Sequence, residues 1–153
     1  MVNIGVIGYG YWGPNIVRNF KAIEKAKVSI VCDIDREALK RIHKVYFDVK
    51  KVSDPNEVLT SPVIDAVAII TPVFTHYELA KKALENGKHI FVGKPFTSKV
   101  SEAEELIELS ERNNLKIMVD HTFLFTGAVK KIKEIIDDNL LGQIYYYDST
   151  RVN

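Results

Sequence analysis

The opening residues constrain this chain more than any others. An apolar run, Val2 to Ile7, passes directly into Gly8-Tyr9-Gly10-Tyr11-Trp12-Gly13. The glycines fit G-x-G-x-x-G. At that spacing the first allows a tight turn, and the second lets backbone approach a phosphate with no Cβ in the way. The third lets the next helix pack closely on the strand. A helix N-terminus placed there offers unpaired N–H groups and partial positive charge to an anion. The fingerprint is weak alone. Here a strand-like run precedes it, a helix-like segment follows, and Asp33 lies 20 residues beyond Gly13 at the end of the next apolar run. An acid at that place can hold a ribose 2′-hydroxyl. Gly8, Gly10, Gly13 and Asp33 therefore predict a dinucleotide site. The charge of Asp33 opposes a 2′-phosphate, so NAD is expected ahead of NADP, and Arg36 nearby weakens that preference. Tyr11 and Trp12 either line the cofactor or substrate side of a cleft or pack beneath neighbouring loops.

Beyond the loop, short apolar runs alternate with segments of helical period. Strands are predicted at Val2–Ile7, Val28–Cys32, Ala66–Ile70, His89–Val92 and Ile117–Val119. Their continuous apolar character suits strands covered on both faces, as in a parallel sheet between helices. The intervening helices have recognisable ends. Pro14 suits the first turn of a helix from Tyr11 to Lys21. Asp35 caps one running to Tyr46, and Asp54-Pro55 begins a short one ending near Thr60. Thr75 or His76 starts another that stops at Asn86-Gly87. Ser101 with Glu104 reads as a capping box. A last helix spans about Thr126 to Asp138, and Gln143 to Val152, with Tyr145, Tyr146 and Tyr147, reads as a further strand. This order predicts an α/β fold with a doubly wound parallel sheet. The expected core is residues 1–120, with 121–153 as a last helix and strand.

Composition removes several function classes. Basic and acidic residues number 21 and 20, for a net charge of +1, so no basic stripe invites nucleic acid. No stretch approaches the roughly 20 apolar residues of a membrane span, and the N-terminus lacks the basic region of a leader. A cytoplasmic protein is expected. Cys32 is the single cysteine and the four histidines show no ligand spacing, so no metal site is predicted.

Three segments, GVIGYGYWGPNIVRNF, CDID and AIITPVFTHYELAKKALENGKHIFVGKPFT, together resemble the glucose–fructose oxidoreductase / inositol dehydrogenase / rhizopine-catabolism (Gfo/Idh/MocA) family. The resemblance covers essentially the whole chain. The tail HTFLFTGAVKKIKEIIDDNLLGQIYYYDSTRVN looks most like the family's nucleotide-sugar branch, whose members oxidise the 3-hydroxyl of a UDP-N-acetylglucosaminuronate-type sugar. The resemblance implies a Rossmann domain and hydride transfer from a sugar hydroxyl carbon to NAD. It places Ile34 beside Asp33 in the cofactor set. Thr71, Pro72, Thr75 and His76 match the T-P-x-x-T-H turn, which lies along the nicotinamide half. Lys94 and Pro95 match the E-K-P motif, whose lysine reaches the nicotinamide and the reacting hydroxyl, often before a cis proline. Lys94 is thus the implied catalytic residue, and His121 resembles a position near the substrate.

Two positions depart from the family pattern. Gly93 stands where the motif has glutamate, and Asp120 stands where a small residue is usual; an acid at 120 offers a partial substitute. Family members run to roughly twice this length and carry a second domain with most substrate contacts. The chain is therefore expected to be a cofactor domain without its substrate domain, inactive alone and self-associating through its aromatic tail. The alternative is an isolated nucleotide-binding module or a redox sensor without turnover.

Overall fold

A computed structural model describes residues 1–150 and 152. The chain divides into two units, Met1–Asp120 and His121–Asn153. The first is a six-stranded sheet flanked by helices. Its strands are β1 (Val2–Ile7), β2 (Ala26–Cys32), β3 (Lys50–Val52), β4 (Ala66–Ile69), β5 (His89–Val92) and β6 (Ile117–Val119). Every pairing is parallel, in the order β3-β2-β1-β4-β5-β6. The chain winds outward from β1 to one edge, then returns to lay β4 on the other side of β1. This is a doubly wound, Rossmann-type sheet with its switch point between β1 and β4.

Alternating strand residues face two cores. Ile4 and Val6 of β1, Val28 and Val31 of β2, and Ala68 of β4 pack with α1 (Gly13–Lys21) and α2 (Arg36–Val45) through Ile16, Val17, Ala38 and Ile42. Ile7, Ile30, Val67, Ile69, Ile90 and Val92 pack with α3 (Asn56–Leu59), α4 (His76–Glu85) and α5 (Val100–Arg112) through Val58, Leu59, Ala80, Ala83, Leu84 and Leu106. Strands buried on both faces explain why their sequence runs are apolar throughout.

The helix ends follow local chemistry. Pro14 sits in the first turn of α1. The Asp35 carboxylate accepts the Glu37 N–H at 2.9 Å to cap α2. α4 closes where Gly87 takes φ 72°. There Lys88 N–H reaches the Ala83 carbonyl and Gly87 N–H reaches that of Leu84, the paired bonds of a Schellman end.

Three sequence expectations are corrected. β3 was not foreseen, because its residues Lys50-Lys51-Val52 form no apolar run; pairing with β2 makes it a strand. The Ser101–Glu104 capping box is absent. α5 starts earlier, with an extended Lys99 at its N-cap and no side-chain cap bond, which leaves Ser101 inside the first turn. The predicted strand from Gln143 to Val152 does not form: residues 143–150 have no strand assignment. A ladder needs a neighbouring backbone, and none pairs with these residues among those described. Arg151, part of that expectation, lies outside the described residues. The second unit instead comprises a 3₁₀ turn, Thr122–Phe125, and α6 (Gly127–Asp137). α6 ends at Asn139, φ 53°, where Leu140 N–H reaches the Ile135 carbonyl.

Candidate functional site

The carboxyl ends of the strands share one edge. Gly8 N–H donates to Cys32 at 2.9 Å, Ile70 to Ile7 at 2.8 Å, Gly93 to Ile69 at 2.9 Å and Asp120 to Val92 at 2.8 Å. A cleft of about 610 Å³ opens there, lined by Gly8, Gly10, Asp33, Ile34, Thr71, Pro72 and Thr75. It sits at the β1–β4 switch point, where ligands of open α/β sheets bind.

The glycines do different work. Gly8 has φ +101°, and a Cβ there would collide with the Ile70 carbonyl. A Cβ on Gly13 would lie 2.5 Å from the Gly8 carbonyl, so α1 needs a glycine to approach the strand. A Cβ on Gly10 would meet nothing within 4 Å; space is open on the side where the loop borders the cleft. Asp33 fastens the loop to β2. One carboxylate oxygen accepts Tyr9 N–H at 2.5 Å and the other accepts Asp35 N–H at 2.8 Å. Each oxygen keeps a further lone pair for another donor. The neighbouring Cys32 thiol is buried, which, with the Asp33 charge beside it, pushes it up to about 12. It is therefore no nucleophile at neutral pH.

On the β4 side, the Thr75 hydroxyl lies 2.7 Å from that of Thr71 and 2.8 Å from the Pro72 carbonyl. These bonds hold the Thr71–Thr75 turn against the cleft. Phe74, 76% exposed, and Pro55, Glu78 and Leu79 join the lining. None of these four was foreseen. Phe74 carried a signal, an aromatic inside a T-P-x-x-T-H turn, whereas Pro55 and Leu79 arrive only through folding.

Several expected residues are placed elsewhere. Tyr11 and Trp12 neither line the cleft nor pack under loops. They are 87% and 54% exposed and meet edge to face at 5.5 Å. Arg36 lines a separate hollow with Lys40, His43, Lys44 and Lys51. His76 is buried, with Nδ1 2.9 Å from the Pro95 carbonyl and Nε2 2.8 Å from the Thr71 carbonyl. It is spoken for by backbone on both sides rather than turned to the cleft. Lys94 follows β5, precedes a cis bond to Pro95, and is exposed. Among the described residues no ion pair or hydrogen bond holds its ammonium. Gly93 leaves room for a side chain, since its Cβ would lie 3.6 Å from His76 Cε1. His121 begins the second unit and is exposed. Among the described residues no group of three or more His, Cys, Asp or Glu could hold a metal ion, and no helix is long and apolar enough to cross a membrane.

Comparison with known proteins points the same way. Residues 2–121 match a family described as an oxidoreductase family with an NAD-binding Rossmann fold. The chain is 34% identical over 152 residues to the scyllo-inositol 2-dehydrogenase (NAD(+)) of Bacillus subtilis strain 168, covering 99% of this chain and 43% of that protein. It is 27% identical over 142 residues to the myo-inositol 2-dehydrogenase of Thermotoga maritima, covering 93% and 42%. Among solved structures it superposes with TM-score 0.84 and 26% identity on scyllo-inositol dehydrogenase from Lactobacillus casei with bound cofactor NAD(H) and scyllo-inositol, covering 93% and 42%. The chain thus spans 42% to 43% of the length of these relatives.

Proposed function

This chain belongs to the Gfo/Idh/MocA oxidoreductase family, and from that premise we propose that it is the NAD-holding part of a dehydrogenase acting on a secondary hydroxyl of a polyhydroxylated ring, a sugar or a cyclitol. The observation that carries the reading is the cleft at the switch point, bounded by the glycine loop, Asp33 and the Thr71 turn. Its features fit the cofactor. The open space at Gly10 and the start of α1 suit a pyrophosphate. The spare lone pairs of Asp33 suit a ribose diol, and Ile34 with Phe74 offers apolar surface to a purine.

NAD supplies a hydride acceptor when bound. The chain's own contribution is to hold it and to move a proton. Lys94, at the end of β5 on the same sheet edge, is the residue that moves the proton, since its amine takes it from the hydroxyl as the carbinol carbon is oxidised to a carbonyl. Thr71, Pro72 and Thr75 form the wall that orients the cofactor toward it. Tyr11 and Trp12, exposed on the loop, and Arg36, on the neighbouring hollow, stay candidates only for outer contacts, and His121 for a substrate contact. Within the substrate class, the resemblance of the tail supports a nucleotide-sugar, while the names of the relatives support an inositol. The exposed Tyr145, Tyr146 and Tyr147 support self-association, and the composition supports a cytoplasmic setting.

Calorimetric titration with NAD⁺ and NADP⁺ tests the core of the proposal. NAD⁺ is expected to bind, with NADP⁺ weaker by about tenfold or more, because repulsion of a 2′-phosphate by Asp33 costs on the order of 1.4 kcal/mol. Binding of neither overturns it. A second reading, a nucleotide-binding module without turnover, is supported by Gly93, which stands where the family motif has a glutamate beside the lysine. Sugar-dependent NADH formation by the chain itself would exclude that reading.

A further inference from the structure

His76 ties together two loops that cofactor binding alone would leave independent. Its side chain is 1% exposed. One ring nitrogen lies 2.9 Å from the Pro95 carbonyl and the other 2.8 Å from the Thr71 carbonyl. A carbonyl oxygen only accepts. The ring supplies the N–H, and its two nitrogens lie within hydrogen-bond reach of both carbonyls, so the imidazole spans the gap between them.

The ends of this tie are specific. The Thr71 carbonyl belongs to the cleft wall at the end of β4. The Pro95 carbonyl belongs to the residue after Lys94. Gly93, on the other side of Lys94, lies beneath the same ring, with its open Cβ position 3.6 Å from Cε1 and 3.8 Å from Nε2. The ring therefore touches the residues flanking Lys94, whose own ammonium has no partner among the described residues. Where that ammonium can reach is set by its backbone, and its backbone is set by the ring.

We propose that His76 is a positioning residue: a buried imidazole, spanning the Pro95 and Thr71 carbonyls, that braces the Gly93–Pro95 turn against the Thr71 wall and so directs Lys94 to the cofactor. The proposal rests on the reading above that Lys94 faces the nicotinamide end of bound NAD. It changes His76 from a cofactor contact into the joint between the binding half of the site and the reacting half.

The full 153-residue chain suffices for the test. Nitrogen-15 NMR of the wild type reads the His76 ring; a hydrogen-bonded N–H that resists exchange with water is expected, and a ring N–H that exchanges freely overturns the brace. The second measurement is acylation of Lys94 by an amine-directed reagent, followed by peptide mass mapping. It is run with and without NAD⁺ at a concentration that calorimetry shows to saturate each protein. In the wild type NAD⁺ is expected to slow the acylation about fivefold or more, and in His76→Gln less than about twofold, because the lysine is no longer held in place. Thermal melting establishes that the variant folds; if it does not, the wild-type spectrum still decides. Equal protection in both proteins overturns the brace and leaves the Lys94 reading standing. A wild type that binds NAD⁺ without protecting Lys94, or binds none, overturns the reading and the brace together.

Discussion

A methyl group added at Gly8, Gly10 or Gly13 meets three different surroundings, and this separates folding from binding. Gly8→Ala combines a positive φ with a backbone collision and should cost about 2 kcal/mol or more of stability. Gly13→Ala pushes a methyl to 2.5 Å from a carbonyl that cannot yield without moving β1 or α1, with a loss of similar size. Gly10→Ala meets only open space, so chemical denaturation should show a change within about 0.5 kcal/mol. Its NAD⁺ affinity should nevertheless fall about tenfold or more, since the methyl occupies the approach to the pyrophosphate. Unchanged affinity in Gly10→Ala would remove that residue from the site. The roles of Gly8 and Gly13 were legible because spacing alone demands them. The fate of His76 was not. Its place beside a cofactor-facing turn suggested a contact, and only the fold brings the Pro95 carbonyl, 19 residues away, to its other nitrogen.

At the scale of elements, the α4–β5 connection shows how one residue secures two levels of structure. The backbone N–H of Lys88 closes the end of α4 on the Ala83 carbonyl. Its buried ammonium lies 2.7 Å from both the Ser61 and Ile64 carbonyls, just before β4. β5, and with it Lys94, is thus tethered to the segment that positions its neighbour β4. Lys88→Met keeps the stem, leaves the Ile64 carbonyl without its donor and leaves the Ser61 carbonyl only the Ile64 N–H, at an expected cost of about 1–3 kcal/mol. Urea unfolding checks this, and a midpoint equal to that of the wild type would show the tether to be idle. The sequence announced the helix stop at Asn86-Gly87 through local propensity. It did not announce the lysine's role, since a lysine after a helix ordinarily stays in water. The missed β3 and the absent tail strand have one explanation in opposite directions. Strands exist by pairing, so two lysines and a valine become one beside β2, while a β-prone tyrosine run without a neighbour does not.

For the molecule as a whole, Cys32 is buried at the carboxyl end of β2, one strand in from the β3 edge, and reports on opening of the fold. Burial raises its thiol from 9.0 to about 12. Thiolate is the reactive form, so a disulfide reagent at mildly alkaline pH should label the native chain at least about a hundredfold more slowly than the urea-unfolded chain. The same shift fixes a sign. Between 9.0 and about 12 the unfolded chain releases this proton and the folded chain keeps it, so stability should decline as pH rises through that window. Rapid native labelling would place Cys32 outside a closed core. Local and periodic features of the sequence settle much of this protein. The glycine loop, the apolar runs and the helix stops depend on backbone sterics and burial on both faces, and these act over a few residues. They determined a doubly wound sheet with a dinucleotide site at the end of its first strand. Tertiary structure alone decided which residues share that edge. It added Phe74, Pro55 and Leu79 to the cleft, left Tyr11 and Trp12 exposed beside the glycine loop, set Arg36 in a separate hollow, and held His76 between two carbonyls. Such placements depend on where separate elements meet, and that is fixed by packing across the whole sheet rather than by spacing along the chain.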